Sequence, residues 1–318
     1  VPLTARWSVV GMTDLTASAA RDLTGEWRLA LTAERKSPMT IALYLDALSR
    51  YPNWVKTQDL PPMRRTSLQT WITDMLTAGR SPSTARIRQQ AVRRYAAWLT
   101  AVGHLDAAPF QGMTSPKLDQ PVVDPLTVAQ VRALLATASS IRQPDPEARS
   151  LRHVRDEAII RLMAETGIRL SEVIALTARD LDLDAGLVTI QRGKDGRGRV
   201  IPVGPATTAA IRTYLAVRRT QPHADREELW LGERRCGLAA DALYRSLRRR
   251  ADLAGIAGFR PHRLRHTAAH RWLAAGGSES GLMAMAGWTR VEMLIRYTRA
   301  HAGERAATEA RRLDLGSL

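Results

Sequence analysis

Across residues 24–103 the apolar side chains, mainly Trp, Leu and Ala, recur at three- and four-residue spacing, with no convincing alternating run among them. That period stacks side chains on one face of an α-helix, so this part of the chain must fold as helices. Ser37-Pro38 and Ser81-Pro82 each read as a helix N-cap with proline in the first turn, where a missing N–H costs nothing. Pro61-Pro62 breaks the pattern between two further helices. About four helices follow, the last over 81–101, and residues 1–23 are expected to form a mostly irregular arm.

The character changes at 104–123, where prolines replace any apolar period; this stretch is expected to be a linker, with the domain boundary near Pro116. The second domain, 124–303, mixes periods. A cap at Thr127 opens a helix, and a strongly amphipathic helix is expected at 151–165. LVTIQ (187–191) and RVIPV (199–203) read as strands on either side of the turn GKDGRG, which makes them a hairpin. Helical patterns return at 207–218, 239–254, 264–275 and 289–298. The fold class is therefore mainly α with a small β-sheet, in two domains.

The charge balance points to a partner. Lys+Arg number 47 against 31 Asp+Glu, a net +16, and lysine occurs only at Lys36, Lys56, Lys117 and Lys194. An arginine excess suits bidentate contacts to phosphate, so a nucleic acid is expected. In the helix over 81–101, Arg86, Gln89 and Arg93 are expected to lie opposite Ile87, Ala91, Tyr95 and Trp98, where they could meet a DNA groove. The helix over 239–254 sets Arg245, Arg248 and Arg249 largely opposite Leu243 and Leu247, a second candidate DNA face. The single cysteine, Cys236, excludes an intrachain disulfide framework. With no signal-peptide pattern and no long apolar run, a cytoplasmic, nucleoid-associated protein with no membrane partner is expected.

The chemistry concentrates in 258–300. His262, His266 and His270 have the spacing of metal ligands on a helix, but Arg263 and Leu264 stand where a zinc protease needs its glutamate. The surrounding arginines disfavour a cation, so no metal is expected. His262 and Arg265 instead suit a phosphate, whose non-bridging oxygens gain charge in a transition state that fixed arginines stabilise. Arg169, between a glycine turn and a helix start, is the candidate second arginine, with Glu172 three residues on to orient it. Lys194, at the hairpin tip, could protonate a leaving oxygen, although a lone lysine in a glycine-rich turn also reads as an ordinary turn residue. Tyr297, flanked by Arg296 and Arg299, could be a nucleophile, since neighbouring positive charge favours the phenolate; it also reads as a tyrosine at the edge of a core.

These pieces occur in the order TGIRLSE, GKDGRGRVIPV, HRLRH, AGW and then a tyrosine nine residues after the tryptophan. In motif and order the chain resembles the tyrosine recombinases of the phage integrase family, and the resemblance extends over the helical region through SPSTARIRQQAVRRYAAWLTAVGHLDAAPF. It implies a SAM-like core-binding domain followed by a mixed α/β catalytic domain. It also implies a catalytic set of Arg169, Lys194, His262, Arg265, Trp288 and Tyr297, supported by Glu172. Tyr297 would form a 3′-phosphotyrosyl link to duplex DNA, with no cofactor, metal or ATP. Most of the family has histidine where this chain has Trp288, and an indole N–H donates a hydrogen bond but shuttles no proton. The resemblance further implies a tetramer on DNA, of this chain or with a related recombinase. It implies a C-terminal tail (304–318) docking on a neighbour through Leu313 and Leu315, and, without the extra domain of arm-binding integrases, a simple recombinase. A type IB topoisomerase and a catalytically silent DNA-binding regulator are the rival readings.

Overall fold

The computed structural model describes residues 17–118, 123–139, 150–191, 198–232, 237–298 and 302–313. The chain divides into two units, Val1–Pro121 and Val122–Leu318, each with its own hydrophobic core. The fold is mostly helical with one small sheet, as the sequence patterns require.

Among the described residues the first unit holds four helices: α1 (Ala17–Ala33), α2 (Pro38–Thr57), α3 (Arg65–Thr77) and α4 (Pro82–Ala101). Ser37 and Ser81 cap α2 and α4, each hydroxyl accepting the backbone N–H three residues on at 3.2 Å. Helix α1 begins at Ala17, inside the stretch expected to be an irregular arm. The core is rich in aromatic rings. Trp27 stacks on Tyr44 at 5.9 Å between centroids and meets Tyr95 edge-on at 5.1 Å. The Tyr51 hydroxyl donates to the Pro62 carbonyl at 2.7 Å, which pins the proline break between α2 and α3 to the core.

Two expectations for this unit are corrected. The segment after α4 is not an open linker along its whole length, because Phe110 and Met113 are buried in the first unit's core. Gln89 does not share an outward face with Arg86 and Arg93. It is only 2% exposed, and its Nε2 donates to the Thr114 carbonyl at 2.9 Å. The returning segment covers the flank of α4 that the helical period alone leaves to solvent, and a buried amide takes one of its carbonyls.

The second unit comprises α5 (Val128–Ser139), α6 (Leu151–Thr166), the short α7 (Leu170–Ile174) and a 3₁₀ turn (Ala178–Asp180). Then come β1 (Leu181–Asp182), β2 (Leu187–Ile190) and β3 (Arg199–Pro202), followed by α8 (Pro205–Arg219), α9 (Ala240–Leu253) and α10 (His262–Ala274). Helices α11 (Glu279–Ala286), α12 (Val291–Thr298) and α13 (Ala302–Leu313) end the described chain. The three strands form one antiparallel sheet in sequence order, with Val188 opposite Ile201 and Ile190 opposite Arg199.

Helix α6 organises this unit. It packs against α5, α8, α9 and α10, and it is buried nearly all round instead of having the polar face expected of an amphipathic helix. Its charged residues sit inside because they are paired there. Asp156, 0% exposed, accepts from Arg155 Nε at 3.0 Å and, on its other oxygen, from Arg250 Nε at 2.7 Å and Ser246 Oγ at 2.6 Å. Burial alone would raise the Asp156 carboxyl, but the two guanidiniums and the hydroxyl hold it below its ordinary range. Breaking one such buried pair typically costs about 3–5 kcal/mol, and through it this cluster ties α9 to α6. Thr127 caps α5 reciprocally with Gln130, at 3.0 and 3.1 Å.

Candidate active site

Helix α11, which lay outside the sequence expectations, supplies the platform for the site. It ends at Ala286, and Gly287 takes the left-handed conformation with φ 63°. The last carbonyls of a helix have no partner within it and form its negative end, so they favour cations. Here three successive carbonyls are taken by three different arginines. Met285 accepts from Arg199 Nε at 2.8 Å, Ala286 from Arg265 Nη2 at 2.6 Å and Gly287 from Arg169 Nη2 at 3.2 Å.

Arg265 enters from the first turn of α10 and is almost wholly buried. Its Nη1 donates to the Gly167 carbonyl at 2.6 Å. Gly167 ends α6 in the left-handed conformation (φ 64°), and a Cβ there would lie 3.3 Å from Ala268 Cβ and 3.5 Å from Arg265 Cγ. The glycine of the TGIR motif therefore both turns the chain and makes room for the arginine. Trp288, also buried, lies against the same guanidinium, whose Cζ is 5.1 Å from the ring centroid. Such a contact contributes about 0.5–2 kcal/mol and holds the guanidinium's plane.

Glu172 joins the arginines into a network. Its carboxylate, 6% exposed, accepts from Arg169 Nη1 at 2.8 Å and from the Arg169 backbone N–H at 3.0 Å. Arg199 grips both oxygens, Nη1 at 3.0 Å and Nη2 at 2.8 Å. Burial alone would raise this carboxyl. The Arg199 fork, followed by the Arg169 backbone and side-chain bonds, outweighs it and holds the group at about 2. Two guanidiniums against one carboxylate leave a net positive site suited to an anion.

Of the remaining expected residues, His262 opens α10 three positions before Arg265 and is exposed. Its ring meets that of buried His266 edge-on, with centroids 5.0 Å apart. Among the described residues no three His, Cys, Asp or Glu side chains come together as metal ligands. Tyr297 falls within α12, and its side chain lies outside the described residues, as does the whole of Lys194 between β2 and β3. Tail residue Leu315 is also outside them, and so is the side chain of Leu313 at the end of α13.

On α9, Arg245, Arg248 and Arg249 are exposed while Leu243, Leu247 and Arg250 turn inward. On α4, Arg86 is exposed and Arg93 half-buried, and both line a groove closed by residues 108–112. The sequence reading missed Arg199. Its signal is the strand alternation of RVIPV, which places Arg199 on the same side as fully buried Ile201, an inward position that an arginine takes only with partners.

Comparison with known proteins identifies the family. The sequence model of the Phage integrase family matches residues 125–304. Tyrosine recombinase XerC of Roseiflexus sp. (strain RS-1) is 30% identical over 294 residues, covering 90% of this chain and 89% of its own. The XerC of Corynebacterium glutamicum is 27% identical, covering 80% and 79%. Among solved structures, the XerH site-specific recombinase bound to palindromic difH substrate superposes with a TM-score of 0.70, at 16% identity, over 93% of this chain and 84% of that one. The Tn1549 transposon integrase in complex with circular intermediate DNA gives 0.67, at 17% identity, over 92% and 99%. At those identities the structural likeness is one of fold. The family match over more than half of the chain, together with a relative alike along nine tenths of it, establishes that this chain belongs to the phage integrase family, the tyrosine-type site-specific recombinases.

Proposed function

We propose that the chain cuts and rejoins duplex DNA at a specific site through a 3′-phosphotyrosyl intermediate on Tyr297. The observation that carries this reading is the seating of Arg169 and Arg265, distant in sequence, on the adjacent carbonyls of Gly287 and Ala286. Two guanidiniums so fixed are preorganised for the non-bridging oxygens of one phosphodiester, with no reorganisation needed as charge develops there.

In this mechanism the Tyr297 oxygen attacks the scissile phosphorus and its proton passes to His262. The bond to the 5′ oxygen breaks, and Lys194 protonates that oxygen as it leaves. Trp288 holds Arg265 in plane. Rejoining is the reverse displacement: a 5′-hydroxyl from the partner strand attacks the phosphotyrosyl ester and frees the phenol. The ester keeps the energy of the broken bond, so neither metal nor nucleotide takes part. Arg86 and Arg93 on α4, with Arg245, Arg248 and Arg249 on α9, contact the DNA backbone and grooves, a reading supported by the exposure of Arg86 and the three α9 arginines and by the groove that Arg93 lines with Arg86. The DNA in the solved complexes of the XerH recombinase and the Tn1549 integrase supports the same partner. Strand exchange between two duplexes requires four active sites, hence a tetramer of this chain or of this chain with a relative.

The test is covalent capture. Nicked suicide duplexes with a randomised core are incubated with the full chain, and protein–DNA adducts are isolated on a denaturing gel and sequenced. Adducts on a common core sequence are expected from the wild-type chain and none from Tyr297→Phe. Absence of any wild-type adduct points to a silent DNA-binding regulator. An adduct that persists in Tyr297→Phe overturns the nucleophile. Rapid relaxation of a plasmid lacking the selected core speaks for a topoisomerase.

A further inference from the structure

We infer that Arg199 is a positioning residue of the active site: its guanidinium clamps the Glu172 carboxylate to the end of α11 and so sets the direction of the phosphate-gripping arginines. The inference rests on the recombinase reading above and adds to it a residue outside the expected catalytic set.

The geometry is specific. Arg199 spends all three of its nitrogens on the site's framework, Nε on the Met285 carbonyl and the two Nη on the two oxygens of Glu172. Its side chain is 10% exposed and that of Glu172 4%. Glu172 in turn holds Arg169 by its side chain and its backbone N–H. The carbonyl beside the one Arg199 grips carries Arg265, and the next carries Arg169. Arg199, like Arg169, is bonded both to Glu172 and to the α11 end, and it closes a ring from α7 through β3 to the platform. All three Arg199 nitrogens bond to protein atoms of the framework, so the role assigned to it is one of aligning Glu172 and Arg169. Gly287 belongs to the same design, since a Cβ there would stand 3.0 Å from Arg199 Nη1 and the residue already has φ 63°.

An arginine is needed because only a planar fork reaches both carboxylate oxygens and still has Nε for a third acceptor. A lysine keeps the charge but not that pattern. Without the fork, Glu172 is free to rotate and Arg169 swings with it, and misplacing a transition-state contact by about 1 Å costs on the order of 100-fold in rate.

The test is single-turnover adduct formation by the full chain on the suicide duplex selected by wild-type capture, read as a maximal rate and a DNA dissociation constant. Arg199→Met and Arg199→Lys are expected to lower the maximal rate about 30- to 100-fold while the dissociation constant stays within about twofold. Gly287→Ala, which leaves every charged group in place, should show the same split. Combined with Arg169→Ala, Arg199→Met should add little, because the two act through one contact; independent losses would multiply. Wild-type rates in Arg199→Lys overturn the forked clamp even where Arg199→Met fails to fold. A fall in affinity with an unchanged maximal rate overturns the positioning role, and so does full additivity with Arg169→Ala. Absence of an adduct from the wild-type chain refutes the parent reading, whereas an active wild type with equally active variants refutes only this one.

Discussion

Replacing Glu172 by glutamine removes one negative charge from between two partly buried guanidiniums while keeping the shape. The carboxylate accepts four hydrogen bonds, two on each oxygen. A glutamine keeps one acceptor oxygen and turns its NH₂ toward donors on the other side, so about half of these bonds are lost. Holding a carboxyl at about 2 instead of its ordinary 4.5 favours the folded state by roughly 3 kcal/mol at neutral pH. Allowing for solvent screening at the more open Arg169 edge reduces this to about 2–3 kcal/mol. The sign is that of a depressed carboxyl: the contribution is fully present above pH 4.5 and is lost as the pH falls through about 2. The chain has two units, so one melting temperature would mix their responses. Hydrogen exchange followed by mass spectrometry resolves peptides over 160–176 and 282–288 separately. In Glu172→Gln these should lose about 30- to 150-fold of their protection at pH 7, peptides of the first unit should be unchanged, and the gap should narrow by about 1 kcal/mol at pH 3.5. A gap below about 0.5 kcal/mol at pH 7, or one indifferent to pH, would show that the network does not stabilise the site as argued.

Two further outcomes follow from the proposed chemistry. Lys194→Ala should slow adduct formation by about 100-fold or more with DNA affinity nearly intact, and a 5′-thio leaving group, which needs no proton, should restore the rate; failure of that rescue removes the general-acid role. Trp288→His should stay within about tenfold of the wild-type rate, since a smaller ring still covers the Arg265 guanidinium, whereas Trp288→Ala, which uncovers it, should lose more. Equal rates in the two variants would mean that the ring does not orient the arginine.

Local physics made part of this protein legible in its sequence. Serine before proline caps a helix wherever it falls, and Ser37 and Ser81 do so. Alternation on both sides of a glycine-rich turn makes a hairpin, and β2 and β3 pair as expected. The ordered motifs made Arg169, Glu172, Arg265 and Trp288 nameable as one constellation, and the structure brings those four together.

Tertiary structure alone decided where charged and polar side chains find partners. Periodicity assigns a polar residue to solvent, yet Asp156, Arg250 and Gln89 are inside, because residues 90 positions away or more (Arg250 for Asp156) or a returning backbone (Thr114 for Gln89) satisfy them. Strand alternation turns Arg199 inward, but the partners that hold it there, Glu172 and the Met285 carbonyl, come from distant segments. The sequence by itself determined which residues could grip a phosphate, through their chemistry and order. Which carbonyl each arginine rests on, and what Arg199 bonds to, follow from the approach of α7, β3, α10 and α11, which no local pattern encodes.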